Sequence, residues 1–278
     1  MRIHCSGGRG MFDAQKYGPW AVIAGASEGV GESFAHRLGQ AGINLVLIAR
    51  KQASLEQVAQ RVRAESAVQV RTLPLDLTSP DVLERVRAIT DDIEVGILVY
   101  VAGANQSMQR FFDAPLESAL RVVRLNPIGQ VSLAHHFGKK MSARGRGGII
   151  LIGSLASGAG ATPLVAYCAS KGFTQIFAEG LWSELRPHGV DALYVVLGAT
   201  ATPNRERQSE RPQKGRSELD DDPNKNVMQP DDVAEQSLES LPDGPILVPK
   251  QVAAYYHRLT TLPRREASEL MRKMLGGF

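Results

Sequence analysis

Short unbroken apolar runs alternate with longer stretches of helical period along almost the whole chain, and this alternation restricts the fold more than any other feature. The runs lie at residues 20–24, 44–49, 68–74, 96–101, 148–152, 191–196 and 245–248. Most are β-branched or aliphatic throughout, a pattern expected of strands covered on both faces, as in a parallel sheet. Segments with apolar residues three and four apart fill the intervals at 31–42, 52–66, 80–91, 116–144, 166–187 and 231–240. Strand and helix in such regular succession predict an α/β fold with a doubly wound sheet of about seven mostly parallel strands and helices on both faces. The expected layout is an extension at 1–16, one domain at 17–250 and a helical tail at 251–278.

Composition closes off other classes. With 43% hydrophobic and 22% charged residues the chain is neither disordered, collagen-like nor a heptad rod. No apolar run approaches the roughly 18 residues of a membrane span. Lys+Arg 32 against Asp+Glu 29 leaves +3, spread along the chain rather than gathered into the basic patch that nucleic-acid binding uses. Cys5 and Cys168 cannot build a disulfide framework, and the first residues lack the apolar core of a signal peptide. The cytosol is the expected compartment, and no metal site is expected.

The first apolar run leads into Gly25, Ala26, Ser27, Glu28, Gly29, Val30 and Gly31, and then into a helical pattern. Strand, glycine turn and helix form the context in which a turn cradles a phosphate, because glycine admits close approach and the helix start offers unpaired N–H groups. The end of the second strand indicates which dinucleotide. A cofactor without a 2′-phosphate is usually held there by an acidic residue on the ribose. Here Ala49 is followed by Arg50 and Lys51, two cations suited to a 2′-phosphate, which favours NADP(H) over NAD(H).

Tyr167 and Lys171 stand four residues apart in a helical segment, hence on one face. An unperturbed tyrosine titrates near pH 10, and a neighbouring ammonium favours the phenolate, which makes such a pair an acid–base device. Ser154 ends the apolar run at 148–152, where active sites gather in parallel sheets. In this order and spacing Gly25, Gly29, Gly31, Asn126, Ser154, Tyr167 and Lys171 resemble the short-chain dehydrogenase/reductase family over about residues 17–248.

The resemblance implies a Rossmann-type sheet and an oxidoreductase that interconverts a carbonyl and a secondary alcohol by hydride transfer. It implies that Tyr167 exchanges the hydroxyl proton and Ser154 orients the carbonyl. Lys171 binds the nicotinamide ribose and depresses the Tyr167 pKa, and Asn126 holds a relay water. Asp76, followed by Leu77, matches the adenine contact; Ala102 and Gly103 match the end of an Asn-Asn-Ala-Gly motif; Gly198 and Thr202 match a Pro-Gly-x3-Thr turn beside the nicotinamide. Departures are Ala24 for the usual Thr, Tyr100 and Val101 for the two Asn, and Leu197 for the Pro. The first two lose polar side chains that tie the central strands together. Pro127, directly after Asn126, predicts a local break in the helical segment at 116–144. Members of the family that bind the dinucleotide without catalysis typically lose the Tyr or the Lys, and both are present here.

The segment at 204–226 is highly charged, with Leu219 its only large aliphatic residue, and is either a substrate lid or a solvated insertion. The small apolar stretch from Leu155 to Leu164 suits a lipid-like or alicyclic carbonyl and, with residues 104–107, is expected to wall the site. Residues 18–60 are similar to microsomal 17β-hydroxysteroid and 3-oxoacyl-CoA reductases. The helix after Tyr167 is apolar nearly all round (Phe173, Ile176, Phe177, Leu181, Trp182, Leu185). One face needs a partner, and the family commonly forms dimers or tetramers through it.

Overall fold

The computed structural model describes residues 12–103, 109–209 and 226–276. The strands are β1 (Trp20–Ala24), β2 (Asn44–Ala49), β3 (Val70–Pro74), β4 (Val95–Tyr100), β5 (Gly147–Ile152), β6 (Val190–Val195) and β7 (Ile246–Leu247). They form one sheet in the order β3-β2-β1-β4-β5-β6-β7, with every neighbouring pair parallel.

The helices are α1 (Ala14–Tyr17), α2 (Gly29–Gln40), α3 (Gln52–Glu65), α4 (Val82–Thr90), α5 (Leu116–Val123), α6 (Gly129–Arg144), α7 (Val165–Leu185), α8 (Pro203–Ser209), α9 (Pro230–Ser240), α10 (Lys250–Thr261) and α11 (Arg264–Met274). They cover the sheet on both sides. Successive strand residues point to opposite faces, so Trp20, Val22 and Ala24 enter one core with side chains of α4, α6 and α7. Ala21 and Ile23 enter a second core with α2, α3 and α9. Burial on both faces is why the strands read as unbroken apolar runs. No helix among the described residues is long and apolar enough to cross a membrane.

Two places matter for the site. The helical segment at 116–144 breaks at Pro127 as expected, dividing into α5, a five-residue π turn at Arg124–Ile128, and α6. Pro127 sits inside the turn, where its ring and missing N–H disrupt the regular ladder. The polar segment expected at 204–226 has a helical beginning, because α8 runs to Ser209; residues 210–225 lie outside the described residues. The tail forms α10 and α11, whose Val252, Leu259, Ala267, Leu270 and Met271 join the first core.

Opposite the strand ends that carry the site, Tyr17 closes the bottom of the sheet. It is fully buried, and its hydroxyl donates to Asp191 Oδ2 at 2.5 Å, an oxygen that Lys16 Nζ also reaches at 2.5 Å. Gly96 makes the approach possible, since a Cβ there would lie 2.2 Å from Gly18 O. Tyr17→Phe should lower the free energy of unfolding by about 1.5–3 kcal/mol, the range for a hydrogen bond to a charged acceptor. Urea denaturation measures it, and Lys16 keeps the carboxylate from being left alone.

Candidate active site

Because all strands are parallel, their carboxyl ends share one edge, and the loops that follow them enclose a cleft of about 560 Å³. At the end of β1 the chain turns sharply. Gly25 has φ +98° and a Cβ on it would lie 2.6 Å from Ala102 N, while a Cβ on Gly31 would lie 2.0 Å from Gly25 O. Main-chain bonds hold this corner: Gly25 N and Ala26 N donate to Ile48 O at 2.7 and 3.2 Å, and Val101 N and Ala102 N donate to Ala24 O at 2.8 and 2.7 Å. The strand ends are therefore tied through backbone at the positions where Ala24 and Val101 carry no polar side chain. No side chain caps α2, which starts at Gly29 above the cleft.

Of the residues singled out from sequence, Gly25, Ser27, Glu28, Val30, Arg50, Lys51, Asp76, Leu77, Ala102, Gly103, Ser154, Tyr167, Lys171, Gly198 and Thr202 line this one cleft. Three lie behind its surface. Gly29 packs on Thr202, whose Cγ2 would be 2.8 Å from an added Cβ; Gly31 packs on Gly25; Asn126 is fully buried. Arg50 and Lys51 are exposed at the mouth, just before α3. Residues 104–107, expected as a wall, lie outside the described residues.

Ser154 leaves β5, its hydroxyl accepts from Ala156 N at 3.2 Å, and it lines the cleft together with Tyr167. Lys171 follows one helical turn after Tyr167, with Nζ 5.7 Å from the Tyr167 ring centroid. That ammonium is buried and donates to Ile152 O at 2.9 Å. Desolvation pushes its pKa down to about 8.

Burial raises the Tyr167 pKa, and the nearby Ser154 hydroxyl works against that rise. Burial outweighs that contribution, so the phenol keeps its proton and stands as a donor. Asn126 Nδ2 donates to Ser170 Oγ at 2.9 Å, and Ser170 Oγ donates to Tyr167 O at 2.7 Å, which ties the π turn to the start of α7.

At the far end, burial works to raise Asp76, but hydrogen bonds from Thr78 and from the Arg121 guanidinium outweigh it and hold the carboxyl below its ordinary range. Arg121 Nη2 reaches Asp76 Oδ2 at 2.9 Å.

Several contributors were not evident in the sequence. Tyr194 of β6 fills the space beside Gly153, where a Cβ would lie 2.0 Å from the ring. Its hydroxyl accepts from Ser154 N at 3.1 Å and lies 3.2 Å from Ser154 O. A glycine immediately before Ser154 was the available signal. Arg207 of α8 reaches across to Glu28 in the glycine turn at 2.5 Å. The tail supplies Val252, Met271, Met274 and Leu275 to a wall that Leu155, Ala156 and Leu164 complete. The arrangement sets a hydroxyl pair and a buried ammonium beside an apolar wall, a geometry able to pass a proton to a carbonyl oxygen.

A model of the short chain dehydrogenase family matches residues 19–213. The chain is 33% identical over 190 residues to a 7β-hydroxysteroid dehydrogenase of Clostridium sardiniense, covering 68% of this chain and 72% of that one. It is 34% identical over 185 residues to a very-long-chain 3-oxoacyl-CoA reductase of Podospora anserina, covering 65% of this chain and 54% of the relative. Among solved structures, a 7β-hydroxysteroid dehydrogenase studied for its stereoselectivity superposes with a TM-score of 0.82 at 25% identity, over 95% of this chain and 99% of that chain. A short-chain dehydrogenase from Sphingobium yanoikuyae in complex with NADPH superposes with 0.73 at 31% identity, over 87% and 92%. With its parallel sheet, its glycine turn and most of its length matched, the chain belongs to the short-chain dehydrogenases/reductases, oxidoreductases that interconvert a carbonyl and an alcohol.

Proposed function

We propose that the chain uses NADP(H) to interconvert an apolar ketone and its secondary alcohol, with Tyr167 exchanging the proton. The observation that carries this reading is that Ser154, Tyr167 and the buried Lys171 ammonium meet at one open cleft, with Lys171 Nζ 5.7 Å from the Tyr167 ring centroid. The cleft suits a dinucleotide, because Gly25 and Gly31 permit a tight turn in which a Cβ would strike Ala102 N or Gly25 O, and that turn presents the start of α2 beside the cleft without a side-chain cap. When bound, the nicotinamide supplies or accepts the hydride.

The other tasks belong to the chain. Ser154 orients the carbonyl oxygen, and Tyr167 gives its hydroxyl proton to that oxygen in reduction and takes it back in oxidation. Lys171 stabilises the phenolate left behind and holds the ribose, and Asn126 lies on the route by which Tyr167 regains its proton. Residues 25–31 receive the pyrophosphate. Arg50 and Lys51 receive the 2′-phosphate, Asp76 and Leu77 the adenine, and Ala102, Gly103, Gly198 and Thr202 the nicotinamide half.

The apolar wall of Leu155, Leu164, Met271 and Leu275 suits an alicyclic or long-chain ketone, in keeping with relatives named for hydroxysteroids and 3-oxoacyl-CoA. The exposed apolar side chains Leu116 and Leu120 on α5, and Phe173 and Ile176 on α7, belong to helices that pack together. A second copy covering that surface makes the enzyme a cytosolic homodimer or homotetramer.

Tyr167→Phe should cut turnover by at least ~10²-fold while NADPH binding, followed by fluorescence, stays near wild type; an active Phe variant overturns the assignment. Arg50→Ala should raise the KM for NADPH by about tenfold or more with little change for NADH, as expected for loss of a hydrogen bond to a charged group. That gap should shrink in high salt, and equal losses for both nucleotides would remove Arg50 from the 2′-phosphate site. Light scattering on the double variant Leu120→Asp, Ile176→Glu should find a smaller particle than the wild type, and an unchanged mass argues against this interface.

A further inference from the structure

Tyr100 ends β4 where the family resemblance places an asparagine. The side chain is fully buried, and burial pushes its pKa above the ordinary tyrosine range, so it keeps a proton to donate. The recipient is not a neighbouring strand. The hydroxyl donates to the main-chain carbonyl of Leu125 at 2.6 Å, inside the π turn and directly before Asn126.

The seat for this hydroxyl is built by a second residue. A Cβ on Gly129 would lie 2.2 Å from the Tyr100 hydroxyl oxygen and 3.2 Å from its Cζ, so the oxygen fits only because position 129 is glycine. The turn itself is widened: Gly129 N donates five residues back to Arg124 O, and Pro127 has no N–H to offer. A wide turn is a locus of weak internal cohesion, and the position of its residues depends on what holds it from outside.

What the turn carries is the catalytic neighbourhood. Asn126 binds Ser170, which binds Tyr167 O. A Cβ on Gly103 would lie 3.5 Å from Lys171 Nζ and 3.6 Å from Asn126 Oδ1, so the ammonium and the amide oxygen border the same small space.

We propose that Tyr100 is a positioning residue whose hydroxyl pins the wide turn through Leu125 and thereby holds Asn126 toward Lys171 and the start of α7. This rests on the roles given to Tyr167, Lys171 and Asn126 above. Tyr100 acts through Asn126, and its ring, which fills the slot over Gly129, is separable from its hydroxyl, which does the pinning.

Tyr100→Phe keeps the ring and removes only the donor. It should lower kcat about tenfold, the upper range for loss of one neutral hydrogen bond, with KM for NADPH and for the ketone changed less than about twofold. In the protein without ligands, hydrogen exchange at 124–130 should accelerate while β4 and β5 stay protected. Gly129→Ala should reproduce the fall in kcat by displacing the hydroxyl. In the Tyr100→Phe background it should add little, because the nearest ring atom is then Cζ.

Wild-type kcat and wild-type exchange in Tyr100→Phe overturn the proposal, as do additive losses in the double variant. It also fails if both KM values rise together and exchange accelerates across the whole sheet, which marks a merely structural residue. Should Gly129→Ala not fold, kcat and exchange of Tyr100→Phe decide alone. Tyr167→Phe runs as the control: if that variant stays active the functional reading fails, whereas an inactive Tyr167→Phe beside an unaffected Tyr100→Phe sinks only the pin.

Discussion

In a parallel sheet each strand is covered by helices on both sides, and every connection returns across one face as a helix before the next strand begins. The remainder of this structure follows from that constraint. The two cores on either side of β1 require apolar residues at all five of its positions and at most positions of its neighbours, and the shared direction puts every strand's carboxyl end on one edge. Asp76, Gly103, Ser154 and Gly198 follow β3, β4, β5 and β6, yet they border a single cleft. Strand order runs one way from β1 to β3 and the other way from β4 to β7, so the crevice opens beside β1, where the glycine turn lies.

Inside that crevice the costly element is a desolvated ammonium. Lys171 is held by one main-chain carbonyl and has its pKa lowered to about 8, so it remains mostly charged at neutral pH with little to compensate it. Such a group needs surroundings that do not collapse onto it or admit bulk water. The chain supplies them with tyrosine–glycine pairs. Tyr194 occupies the space that Gly153 leaves and bonds to the main chain of Ser154; Tyr100 occupies the space beside Gly129 and bonds to Leu125 O. In each case a ring replaces a Cβ, and its hydroxyl stiffens the backbone that bears an active-site side chain. Rigid support of this kind keeps a proton donor in register with its acceptor.

The tail and α8 bring a different quality to the site. Their contributions are apolar side chains on one wall and the Arg207–Glu28 pair over the glycine turn. These contributions differ in kind from the hydroxyls of Ser154 and Tyr167 and the ammonium of Lys171 that line the same cleft.

The seven strands, the glycine turn and the Ser154, Tyr167 and Lys171 set were all legible in the sequence. Each depends on spacing within one strand, one turn or one helix, where chain geometry alone decides which residues are neighbours. The break at Pro127 was legible for the same reason, though its width was not, because a π turn is chosen by what packs against it. Tyr100 reads in sequence as a lost asparagine; in the fold its hydroxyl reaches Leu125, 25 residues on. The bonds from Arg121 to Asp76 and from Ser154 to Tyr194 span 45 and 40 residues, and the wall from Met271 comes from further still. Local periodicity and spacing thus determined the fold class and which residues are proposed for proton transfer. Which side chains hold those residues in place, and what walls the cleft, was decided only when the sheet brought distant strand ends together, since no local pattern records a contact between segments that far apart.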